Sequence, residues 1–98
     1  MVEVRQTEIF AKWLHGLRDR QAKRIILIRL ERLALGNPGD TKPVGSGVTE
    51  LRILHGPGYR VYFVRRGKTL VILLCGGDKS TQAVDIARAK TMARELEE

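Results

Sequence analysis

Residues 48–75 read VTELRILHGPGYRVYFVRRGKTLVILLC, and this stretch decides the fold. Val48–Leu54 places Leu51 and Ile53 on one face and Glu50 and Arg52 on the other, the period of a half-buried strand. The bend His55-Gly-Pro-Gly58 reverses the chain. Tyr59–Val64 then sets Tyr59, Val61 and Phe63 against Arg60, Tyr62 and Val64. A tight turn follows at Arg65-Arg-Gly-Lys68, where Gly67 can take a positive φ. Leu70–Cys75 is apolar throughout, as a central strand is. Pairing Ile53 with Tyr59 across the bend puts Leu51 opposite Val61, Arg52 opposite Arg60 and Glu50 opposite Tyr62.

Working outward, Val2–Gln6 alternates as a strand does. Thr7 can cap a helix whose Phe10, Trp13, Leu14 and Leu17 recur at helical spacing, with Trp13 facing the core. Asp19 is a good N-cap for a second helix. Its stripe is Ala22, Ile25, Ile26, Leu30 and Leu33, and Leu27 and Ile28 widen it, which predicts cover on more than one side. Gly36 ends it as the residue past the C-cap, with Pro38 close behind. Asn37–Gly47 reads as a loop. On the far side, Gly76-Gly-Asp78 leads into a last helix, capped by Asp78 or Ser80, with Ile86, Ala89, Ala93 and Leu96 inward. The order is β-α-α-β-β-β-α: an α+β fold in which an antiparallel sheet packs against an N-terminal helical hairpin.

The chain has 98 residues, enough for a single domain over 1–98, and 43% are apolar. Eighteen Lys and Arg against 11 Asp and Glu give a net charge of +7. The excess lies before residue 82, since 82–98 hold three basic and four acidic residues. A polyanionic partner or a solvated basic surface both account for it. Cys75 is the single cysteine, which excludes an internal disulfide. Two His and one Cys cannot make a site of three or four such ligands, so no metal site and no cofactor is expected. MVEVRQTEIF lacks the features of an export signal, and no apolar run spans a bilayer, which points to a cytoplasmic protein without membrane contact.

The chemistry concentrates where Arg52 and Arg60 face each other. Like charges directly across a ladder are destabilising. An ion pair from Glu50 to Arg60, or a bound phosphate held by planar guanidinium groups, would offset this. Lys79, in the first turn after the central strand, adds positive charge at a helix start. Gln82 is one turn on, and Tyr62 lies on the arginine face, where a phenol can stack on a base. By the alternation from Ile72, Val71 and Leu73 are expected on this face too. His55 has the pKa of a general base. His15 is read as a boundary residue, and Cys75 as a buried thiol. The glycines form no phosphate-binding pattern.

The segments Phe10-x-x-Trp-Leu14, Arg20-Gln-Ala-Lys-Arg24, Gly36-Asn-Pro-Gly-Asp40, Gly47-Val-x-Glu-Leu-Arg52, Gly56-Pro-Gly-Tyr-Arg-Val-Tyr62 and Gly76-Gly-Asp-Lys79 follow in that order. Together they closely resemble the phage-derived, HigB-like addiction module killer proteins of the RelE/ParE toxin superfamily. The resemblance covers essentially the whole chain. It implies a microbial-RNase-like α+β fold and a type II toxin–antitoxin pair, with a cognate antitoxin, often a helix-turn-helix protein, encoded by a neighbouring gene. It also implies metal-independent cleavage of mRNA on the ribosome. By matching position, Arg60 falls on the scissile phosphate, Lys79 beside it or in proton transfer, Arg52 in support and Tyr62 in stacking or orientation. Arg65, Arg66, Lys68, Gln82 and His55 are the expected RNA contacts. The tyrosine that RelE-type enzymes carry in their last segment has no counterpart, and no carboxylate–histidine pair of the usual ribonuclease type is expected to be present. His55, Lys79 and Tyr62 are the candidates for the base. The same resemblance includes ParE-like inhibitors of DNA gyrase, which cleave nothing, and a basic nucleic-acid-binding module is a third reading.

Overall fold

The computed structural model describes residues 1–96; Glu97 and Glu98, the end of the predicted domain, lie outside the described residues. In chain order the elements are β1 (Glu3–Gln6), α1 (Glu8–His15), α2 (Arg20–Ala34), β2 (Thr41–Gly45), β3 (Val48–Ile53), β4 (Tyr59–Arg66), β5 (Leu70–Asp78), a single 3-10 turn (Lys79–Thr81) and α3 (Gln82–Leu96). The fold is α+β, with a sheet of order β1-β5-β4-β3-β2.

The caps fall where side-chain chemistry puts them. Thr7 accepts a hydrogen bond from the Phe10 amide, and Asp19 accepts one from the Ala22 amide. Gly36 takes φ +90° beyond the Leu35 C-cap, closing α2. Gly67 turns the β4–β5 hairpin at φ +65°. The β3–β4 register is the predicted one, including Arg52 opposite Arg60 and Glu50 opposite Tyr62.

Four expectations are corrected. Asn37–Gly47 is not all loop, because Thr41–Gly45 forms β2 on the edge of the sheet against β3. Pro43 is at home there, since an edge strand has one side free of partners, and a register shift after it leads into the turn. The sheet is mixed: β1 runs parallel to β5, with Val4 beside Val71. Leu27 and Ile28 are exposed rather than covered, and so is Leu96.

The fourth correction concerns the faces of the sheet. Helices α1 and α2 cover one face over Phe10, Ile26, Leu33, Leu51, Ile53, Val61, Phe63, Val71 and Leu73. Helix α3 covers the other, over Val48, Tyr62, Val64, Leu74, Cys75, Ala89 and Ala93. Val71 and Leu73 therefore lie opposite the arginine face. A strand apolar on both sides carries no mark of which side is which; pairing decides it, and Val64 pairs with Ile72. The register then shifts between Tyr62 and Phe63, which pair with Cys75 and Leu73, leaving Leu74 as the extra residue. This bulge lets Leu74 and Cys75 both pack under α3.

Candidate anion-binding site at the arginine pair

The face carrying Arg52 and Arg60 is only partly open, because α3 lies on its far half and Gln82 and Lys79 mark its border. Helix α3 sits close because β5 has glycine there. A Cβ on Gly77, the strand partner of Arg60, would come within 1.8 Å of Asp85 Oδ2. Asp85 in turn accepts a hydrogen bond from Thr81 Oγ1 at 2.5 Å, holding the first turn of α3. Gly58 does the same service at the bend: its φ is +81°, and a Cβ would lie 2.7 Å from Arg60 Nη1 and 3.6 Å from Lys79 Cβ. Arg60, Gly58 and Lys79 are thus immediate neighbours.

Three cations meet in this place. The Arg60 Nη1 donates to the carbonyl of Gly58 at 2.6 Å. The Nε groups of both Arg52 and Arg60 are buried without a hydrogen-bond partner. Arg52 Nε does lie 3.5 Å from Glu50 Oε1, close enough for charge attraction but too far for a good hydrogen bond. Arg52 and Arg60 are partly exposed, and Lys79 is exposed. Hydrogen bonds from Ser80 hold the Asp78 carboxyl below its ordinary pKa, and the Arg60 charge lowers it further. Paired guanidinium groups with free donors and a nearby ammonium suit an oxyanion with several acceptor atoms.

Glu50 organises the floor. It is buried, accepts from the Tyr62 hydroxyl at 3.1 Å and from Gln82 Nε2 at 2.8 Å, and pairs with Arg52. The ion pair expected between Glu50 and Arg60 is instead one with Arg52 on the same strand. Tyr62 is fully buried, and its ring offers no face for a base. Burial first, and then the Glu50 charge, raise its pKa well above that of a free phenol, so the hydroxyl keeps its proton. Gln82 is committed to Glu50. Its partner lies 32 residues away, and nothing in the sequence marks the contact.

The other expected contacts separate. His55 Nε2 lies 3.0 Å from Asp19 Oδ2, turning the ring toward the start of α2. A carboxylate–histidine pair is therefore present after all, formed across 36 residues at the helical-hairpin side rather than among the cations. Arg65 is exposed and lies over the Phe63 ring at 5.7 Å. Arg66 donates to the Ala93 carbonyl at 3.2 Å, tying the hairpin to α3. With Lys68 they lie at the hairpin end of β4 and β5, where Arg66 is six residues along β4 from Arg60, about 20 Å at roughly 3.3 Å per residue. The sheet thus holds these two sets of cations at opposite ends.

Two comparisons with known proteins bear on this arrangement. A family model described as "Phage derived protein Gp49-like (DUF891)" matches residues 12–97. An uncharacterized protein of Haemophilus influenzae (strain KW20 Rd) is 50% identical over 95 residues, which is 97% of this chain and 96% of the relative. Among the described residues no helix is long and apolar enough to cross a membrane.

Proposed function

The chain belongs to the Gp49-like family of phage-derived proteins, a family of the RelE/addiction-module toxin kind, and on that premise we propose that it is a HigB-like toxin of a type II toxin–antitoxin pair that cuts mRNA on the ribosome. One observation carries the reading: Arg52 and Arg60 face each other beside Lys79, with buried Nε groups that make no hydrogen bond. Arg52 has Glu50 as its counter-ion, and a bound oxyanion would give the buried Arg60 Nε the acceptor it lacks.

In this reading the ribose 2′-hydroxyl gives its proton to solvent and its oxygen bonds the adjacent phosphorus; the bond from phosphorus to the 5′-oxygen of the next nucleotide breaks, and that oxygen takes a proton from solvent. Negative charge grows on the non-bridging oxygens as the phosphorane forms. Arg60 stabilises that charge, with Arg52 beside it, and this electrostatic term is the largest a rigid site supplies. Lys79, on an exposed turn at the same place, reaches the scissile phosphate from the solvent side. Tyr62 and Gln82 act through Glu50, fixing the floor on which Arg52 rests. Tyr62 is set aside as a base because its proton is held.

The cationic site is short, so the ribosome supplies most of the positioning of the message. Primer extension on cellular mRNA after a brief pulse of expression tests the proposal. Cuts linked to translated codons are expected. Intact messages with gyrase-dependent DNA breaks would replace it with the gyrase-inhibitor reading.

A further inference from the structure

The core-facing stripe of α2 has one charged member. Ala22, Ile26 and Leu33 are buried at helical spacing, and Arg29 stands between Ile26 and Leu33 on the same line. It is half-buried, a costly place for a guanidinium unless its donors are used. They are used on main chain. Nη1 donates to the carbonyl of Arg52 at 2.6 Å, and Nη2 donates to the carbonyls of Pro38 at 3.0 Å and Asp40 at 3.3 Å. Gly39 makes the space: its φ is +73°, and a Cβ there would lie 3.0 Å from Arg29 Nη2.

These bonds fall where the sheet edge gives out. Strand β2 first pairs Thr41 with Leu51, and one step beyond, the Arg52 amide still donates to the Asp40 carbonyl at 2.9 Å. At Gly39 the chain turns away, and the Arg29 guanidinium takes the Arg52 carbonyl. Arg52 is the last residue but one of β3, and strand ends open most readily. An aliphatic residue at 29 would suit the stripe but would leave that carbonyl without its donor. Three residues on, the Asp19–His55 pair ties the bend to the start of the same helix. Helix α2 thus grips this end of the hairpin from the face opposite the cations.

We propose that Arg29 is a positioning residue of the cation site: it fixes the Arg52 main chain from the far face of the sheet, so that the Arg52 guanidinium meets an oxyanion at a set distance from Arg60. This rests on the reading above that the arginine pair receives a phosphate. Arg29 acts only through Arg52. Lysine cannot replace it, because an ammonium group has no planar fork to reach β3 and the 38–40 segment together.

The full chain and its Arg29→Lys variant test this in two ways. First, inorganic phosphate is titrated while the NMR signals of the Arg52 and Arg60 Nε groups are followed. In wild type both are expected to move with one affinity. In Arg29→Lys phosphate should bind about 10-fold more weakly, with the Arg60 signal still moving and the Arg52 signal left behind. Second, cleavage is measured on programmed ribosomes. Arg29→Lys should lower kcat by about 10-fold, no more than Arg52→Ala does, with KM near the wild-type value. It should cost nothing further in a chain that already carries Arg52→Ala, whereas a mere loss of stability would slow both backgrounds alike. Gly39→Ala disturbs the same guanidinium from the loop side, and should give both results where Arg29→Lys does not fold. Equal movement of the two signals in the variants overturns the inference, as does an added loss in the Arg52→Ala background. A wild-type chain that binds phosphate at both arginines yet cuts no message would sink the endonuclease reading and leave the positioning role standing. A wild-type chain whose arginine signals ignore phosphate would overturn both.

Discussion

Arg52 and Arg60 are direct cross-strand partners, and Arg52 forms an ion pair with Glu50 Oε1 at 3.5 Å. Arg60 rests on a backbone carbonyl. This asymmetry separates the two in function. Arg60→Ala is expected to lower mRNA cleavage by on the order of 10²–10³, the usual cost of removing one group that stabilises a developing oxyanion. Its thermal unfolding should stay near wild type, because truncation opens no apolar core. Arg52→Ala should cost less activity and should disturb stability, since it leaves the buried Glu50 charge without its cation. A folded, fully toxic Arg60→Ala would refute the site.

Ribosome association should fall steeply with added salt, because each Arg or Lys that neutralises a phosphate releases a counterion. Sedimentation with ribosomes at graded salt measures the slope. Arg60→Ala should flatten it by about one contact. A slope indifferent to all three cations would mean that they touch no phosphate.

Glu50 holds Tyr62, Gln82 and Arg52 from a buried position. Glu50→Ala should destabilise the fold by about 3–5 kcal/mol, the range for breaking a buried charge network from one side. A urea titration followed by the Trp13 fluorescence reads this directly. Glu50→Gln should recover part of the loss, because an amide still accepts from Tyr62.

Gly76 lies under the Trp13 ring, where a Cβ would come within 2.3 Å of Cε3, and Gly77 lies under Asp85. Alanine at either position overpacks a tight contact, at a cost of roughly 1–3 kcal/mol. Gly77→Ala should also lower cleavage, because it pushes the first turn of α3 and Gln82 away from Glu50. Gly76→Ala, on the helical-hairpin face, should lower the melting temperature and leave the cleavage pattern intact. Equal effects of the two on cleavage would remove α3 from the account.

The hydrogen bond from the Ala22 amide, then the one from His55, lower the Asp19 pKa in the folded chain. A depressed carboxyl stabilises the fold above its unfolded pKa of about 4. That stability is lost as the pH falls through the lower, folded value. Asp19→Asn removes the titration and keeps a capping oxygen. The urea midpoints of wild type and Asp19→Asn should therefore converge on acidification from about pH 6 to below about pH 4. Parallel curves throughout would show that the cap carries no proton linkage.

By itself the sequence determined the helices, their caps and the β3–β4 register. These depend on local periodicity, on Thr7, Asp19 and Gly36, and on a short bend whose pairing puts Leu51, Ile53, Val61 and Phe63 together on one side. It also placed Arg52 against Arg60, since register follows once a hairpin is set. Other features were decided only by tertiary structure. The apolar strand β5 has no polar face to read, so only pairing and the Leu74 bulge place Val71 and Leu73 on the helical-hairpin side. Strand β2 is weakly marked because Pro43 stands in its middle and Gly45 at its end, and it exists by adding to an edge already formed. Glu50 with Gln82, and Asp19 with His55, meet across 32 and 36 residues. Such contacts leave no period in the chain, because they arise from where α2 and α3 come to rest on the two faces of one sheet.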